Sequence, residues 1–198
     1  LILFLNPADE YAPITVKASE AFQIITLPML PVREAKDPHG RVDPQVIRAL
    51  EELVARRVVL DQVFAEPAAA IPQLALHSGG RLRDVLELAR SACELALAHK
   101  VTVAHIDRAA EKAAATRRVA FRDGDAERVA RVARDKRILN DPMHGYLLLH
   151  SLVLQYNGHN GRPWWDIHPL LLLEDDIQRL VSAGSFLATP LVTPPGPA

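Results

Sequence analysis

The apolar positions of the chain change period several times, and each change predicts an element. Residues 1–5 form an unbroken apolar run, "LILFL", of the kind found in buried central strands, and Asn6-Pro7 stops it. Residues 22–27 predict a second strand, which Pro28 and Pro31 interrupt. After the turn signals Asp37-Pro38 and His39-Gly40, Asp43 can cap a helix with Pro44 at its first position. Val46, Ile47, Leu50, Leu53, Val54 and Val58 then keep helical spacing. Residues 65–72 read as an Ala/Pro-rich connector, followed by a short helix over 72–77. A long helix is predicted over 81–98, with Leu82, Val85, Leu86, Ala89, Cys93, Ala96 and Leu97 on its buried stripe. Thr102 starts another, whose apolar face is Val103, Ile106, Ala110, Ala113 and Ala114.

Asp123-Gly124 marks a boundary. Beyond it Ala126, Val129, Val132, Ala133 and Leu139 define a helix stopped before Pro142, and residues 143–152 can be helical. "VLQYNGHNGRPWWDIHPLL" holds two extended segments around an Asn/Gly-rich turn, a β-hairpin signature. Helix, helix and hairpin in that order suggest a winged helix. From Thr189 the tail is Pro-rich, predicting extended or disordered chain.

The 198 residues are 49% hydrophobic, which argues for packed globular structure. A formal net charge of -1 gives no global attraction to nucleic acid or membranes, so any basic patch must be local. No apolar run approaches the ~20 residues of a membrane helix. The single Cys93, on an apolar stripe, reads as a small buried hydrophobe, and a reducing cytoplasm is the simplest compartment. Opening on an apolar run without methionine suggests a start in mid-domain, and a processed terminus is the alternative.

The chemistry concentrates in "SGGRLRD", residues 78–84. Gly79 and Gly80 permit a sharp turn into the long helix, and Arg83 projects from its first turn. Helix N-termini offer free amide donors and partial positive charge, so an arginine there suits an anion such as a nucleotide phosphate. The alternative is a plain cap, with Ser78 capping, Asp84 offsetting the dipole and both arginines solvated. Arg128, Arg131 and Arg134 repeat at three-residue spacing and Arg137 continues the stripe, a candidate nucleic-acid surface or a solvated face. Asp166 and His168 share a strand face, with His144, His150 and His159 near in sequence. No second spaced pair accompanies them, and no metal site is expected.

Gly80-x-x-Arg83 opening a helix, in an all-α unit after two strands, resembles the sensor 2 motif in the lid of AAA+ and related P-loop ATPases. The wider pattern resembles one bacterial group of AAA-like ATPases: "LPMLPVRE" over 27–34, the helix 46–58, "SGGRLRD", and a closing segment over 148–172 holding "LLHSLVLQYNG" and "WWDIHPLL". The resemblance implies a mainly α fold with the remnant of an α/β P-loop NTPase core. Its divisions would be the last core strands over 1–34, an α-helical AAA+ lid over 35–122, a C-terminal winged-helix-like α+β domain over 123–188, and the tail 189–198. It implies that Asn6 is sensor 1, orienting an attacking water, and that Arg83 is sensor 2, with Gly80 and Arg81 beside it at the nucleotide. ATP and Mg2+ would bind the complete parent protein, an ATPase, with the upstream P-loop core and a partner protein or further copies of the chain as partners. No G-x-x-x-x-G-K-[ST] loop and no strand ending in paired carboxylates occurs here. This chain alone should therefore neither hydrolyse ATP nor hold it tightly. A nucleotide-independent DNA-binding or protein-docking adaptor is the competing expectation.

Overall fold

A computed structural model describes residues 29–33, 42–139, 141–158 and 161–184. The expected strands at 1–5 and 22–27, Asn6, His159 and the tail from Thr189 lie outside the described residues. Within them the chain is mainly helical, with one small two-stranded antiparallel sheet.

Helix α1, Pro44–Ala55, begins where its capping signal stands. Asp43 accepts the Gln45 N–H at 2.8 Å, and Val46, Leu50 and Val54 are buried. A single turn, α2 (Leu60–Val63), leads to Phe64, which bridges to Val101 in parallel. Helix α3, Pro67–Ser78, corrects the expected connector. Pro67 sits at the helix start, where its missing N–H costs nothing, and Ala70, Ile71, Leu74 and Ala75 are buried strongly enough to carry Pro72 inside the helix.

Helix α4, Leu82–Ala96, exists as expected but is rotated. Its buried face is Asp84, Val85, Leu88, Ala92 and Ala96, while Leu82 and Leu97 are exposed. Cys93 is exposed too, against expectation. The reason is Asp84: drawing that carboxylate inward turns the helix by about one residue, or about 100°. Helix α5, Val103–Arg118, packs against α4 and buries Ile106, Ala109, Ala110 and Ala114.

Helix α6, Asp125–Asp135, follows Gly124, whose φ of 77° only glycine adopts readily. Val129, Val132 and Ala133 face inward, but Leu139 is exposed because the helix ends at Lys136 in a left-handed turn. After α7, Pro142–Leu149, strands β1 (Val153–Asn157) and β2 (Pro163–Ile167) pair antiparallel, Val153 opposite Ile167 and Gln155 opposite Trp165. Both outer edges of this hairpin are used: the Met29 N–H reaches Gln155 O at 3.0 Å, and the Trp165 N–H reaches Lys136 O at 3.1 Å. A 3-10 helix, Pro169–Leu173, and α8, Asp175–Gly184, close the described chain. Helix α8 has no counterpart among the elements the sequence pattern predicts; it buries Ile177 against α6, and Asp176 pairs with Arg118 at 2.5 Å.

The apolar side chains of the described residues form two cores. One holds α1 to α5, including Leu50, Phe64, Leu74, Val85 and Ile106; the other holds Val129, Leu147, Leu152, Ile167 and Ile177. The 3-10 helix belongs to both, since Leu170 joins the first core and Leu171 the second. Among the described residues no helix is long and apolar enough to cross a membrane.

Candidate functional site

The seven residues of "SGGRLRD" form the junction between the two cores. Ser78 does not cap α4. It ends α3, its hydroxyl donating to Ala75 O at 3.1 Å and accepting the Gly80 N–H at 3.2 Å. Gly79 and Gly80 are both left-handed, with φ of 60° and 77°. A Cβ on Gly79 would fall 2.7 Å from Leu154 Cδ1 and 2.9 Å from the Tyr156 hydroxyl; one on Gly80 would fall 1.9 Å from Leu30 O. The pair is therefore required by close approach on two sides as well as by backbone angle. The Tyr156 hydroxyl donates to Gly79 O at 2.8 Å, and the Leu30 N–H reaches Gly80 O at 3.3 Å.

Arg81, the N-cap residue of α4, makes no side-chain cap. Its guanidinium turns onto Asp84 instead. Asp84 is only 2% exposed and receives two further donors: Arg117 of α5 at 3.0 Å and His168 Nε2 at 2.7 Å. The tautomer of His168 follows from its other nitrogen, Nδ1, which accepts the Leu170 N–H at 3.2 Å. The proton therefore sits on Nε2, and the imidazole is neutral. Burial pushes the His168 pKa down to about 4, aided by the nearby charges of Arg117 and Arg81 against the pull of Asp84. Burial alone would raise the Asp84 carboxyl, but the hydrogen bond from His168 and the charges of Arg117 and Arg81 hold it below its usual range. The result is one buried carboxylate with three donors, drawn from α4, α5 and the residue after β2.

Arg83 stands apart. It is exposed on the first turn of α4 and makes no ion pair with any described residue. Gly80, Arg81 and Arg83 thus share the head of one helix, but only Arg83 presents its charge outward. Arg81 was expected at a nucleotide, and its guanidinium is taken up by Asp84.

The basic stripe on α6 is broken. Arg128 pairs with the buried Asp125 at 2.8 Å and donates to Asp123 O at 3.1 Å, while Arg131, Arg134 and Arg137 are exposed. Asp166 and His168 go to different partners, Lys136 at 2.5 Å and Asp84. His144 bonds Asp141 at 3.0 Å, and His150 lies against the Tyr146 ring. Trp164 stacks on Tyr156 with centroids 4.4 Å apart, and Trp165 joins the second core.

Sequence reasoning did not find the carboxylate node. A hint was available, since Asp84 falls on the same face as Val85, Leu88 and Ala92; its partners Arg117 and His168 lie 33 and 84 residues away and leave no local pattern. Comparison with protein families, curated proteins and solved structures finds no match for this chain.

Proposed function

We propose that this chain is the lid and C-terminal part of an AAA+-like ATPase, in which Arg83 senses bound nucleotide and the C-terminal unit relays the resulting motion to a partner or a neighbouring copy. The observation that carries the reading is the division of labour on the first turn of α4: Asp84 is buried and anchors the helix, while the adjacent Arg83 is exposed and unpaired among the described residues. An unpaired guanidinium next to free backbone donors suits a phosphate. These residues fit one phosphate contact; the cradle and the Mg2+ ligands would belong to the upstream core, and Asn6 would orient water there. In the transition state Arg83 would neutralise charge developing on the transferred group, a contribution that disappears with the side chain.

In a polypeptide that carries the P-loop core, Arg83→Ala should lower kcat for ATP hydrolysis about tenfold or more, with far-UV circular dichroism and Tm unchanged. Unchanged turnover overturns the reading.

The adaptor reading rests on the exposed Arg131, Arg134 and Arg137. Arg131 and Arg137 line an open cleft of about 480 Å³, but Asp135 shares it and Arg128 is already neutralised. A steep loss of duplex-DNA binding with salt, lessened in Arg131→Ala, would favour that reading.

A further inference from the structure

Arg83 is set by its neighbours on both sides. The loop ahead of it is held by Tyr156 on Gly79 O, and the residue after it, Asp84, is held by His168 Nε2. Both grips come from the hairpin unit: Tyr156 from β1 and His168 from the end of β2. Arg117 adds a third, giving one guanidinium nitrogen to Asp84 and the other to Ser151 O at 3.2 Å, and so tying α5 to both units. A rigid-body shift of the hairpin therefore cannot leave the first turn of α4 in place without cost, since the His168 and Tyr156 contacts are buried and their donors have no water to turn to.

We propose that His168 is a positioning residue for Arg83, so that displacement of the C-terminal unit and engagement of Arg83 at the anion are a single event. This rests on the sensor reading of Arg83 above. The charged and titratable groups facing His168 are Asp84 and Arg81 from α4 and Arg117 from α5, with the Tyr156 hydroxyl of β1 on the neighbouring Gly79; Glu87 lies beside Arg117. Protonating Nδ1 would break the bond from Leu170 N–H and add a third cation around one carboxylate. Acid should therefore destabilise the cluster as a whole, through the buried charge and the lost Leu170 bond rather than through the bond to Asp84, which a charged ring strengthens.

The test is hydrogen exchange in the 198-residue chain, corrected for intrinsic rates, followed at the amides of residues 85–88, the first that are hydrogen-bonded within α4. His168→Leu should speed exchange at least tenfold at pH 7.5, and Tyr156→Phe should do so to a smaller degree if His168→Leu does not fold. His168→Gln, which keeps an N–H donor but does not titrate, should restore protection and remove the acid-dependent loss expected of the wild type. In the polypeptide that carries the core, His168→Leu should lower kcat for ATP at least tenfold with KM unchanged, and His168→Gln should recover most of it. Unchanged exchange in both His168→Leu and Tyr156→Phe overturns the proposal. So does normal turnover in His168→Leu beside impaired Arg83→Ala, which leaves the sensor reading standing. Normal turnover in Arg83→Ala overturns the sensor reading itself.

Discussion

Replacing Asp84 by alanine removes the acceptor for three donors at once. His168 is 0% exposed, so its Nε2–H gains no water, and one orphaned buried donor costs about 1–3 kcal/mol. The Arg117 and Arg81 side chains are 15% and 21% exposed, so they recover part of their hydration but leave two cations together at the edge of the core. The sum falls within the ~3–5 kcal/mol expected when one partner of a buried ionic network is deleted. Total stability is about 5–15 kcal/mol, so the loss is a large fraction of it. Urea unfolding at pH 7.5, followed by circular dichroism, measures the effect, and Tm should fall on the order of 10 °C. Asp107→Ala is the control: Asp107 pairs with His77 at 2.9 Å but is 44% exposed, and its loss should cost under about 1 kcal/mol. Equal losses for the two variants would refute the idea that the Asp84 node, rather than apolar packing alone, joins the cores.

The pH dependence has a definite sign. His168 is held neutral in the fold, with its pKa pushed down to about 4, whereas the unfolded chain takes up that proton near 6.5. Stability is therefore full above about pH 6.5 and falls as pH drops toward 4, by up to about 3 kcal/mol, and His168→Gln should flatten this slope in urea titrations between pH 7 and 4.5. Asp84, held low, contributes stability that is lost only below that window. Gly80→Ala should cost about 2 kcal/mol or more, because a left-handed backbone strains any side chain and the Cβ meets Leu30 O; Gly145→Ala, helical and with nothing within 4 Å of the new Cβ, should gain about 0.5–1 kcal/mol in the same assay. Cys93 should react fully with a maleimide in the native state, faster as pH rises, since burial and Glu94 push its thiol up.

What the sequence reveals depends on whether the signal is local. Asp43-Pro44 caps α1 within its own turn, and the Asn/Gly-rich stretch after Tyr156 closes the hairpin; both are legible because the residues that decide them are neighbours. The Ala/Pro run over 65–72 reads as a connector by composition, yet burial of Ala70 and Ile71 against the rest of the first core makes it helix. Cys93 is misplaced for a related reason: two apolar stripes are available on α4, and the choice between them is made by Asp84 reaching Arg117 and His168. At the site, the glycine turn and the outward Arg83 are legible, while the inward-facing half is a long-range agreement among three elements.

The central claim is that Arg83 reads the terminal phosphate of a bound nucleotide. The most direct measurement is the ratio of ATP to ADP affinity in the polypeptide that carries the core, wild type beside Arg83→Ala, at matched stability. The account predicts that the variant keeps its ADP affinity and loses its preference for ATP; an unchanged ratio, or no nucleotide binding by the wild type, would contradict it and leave the first turn of α4 as a structural joint.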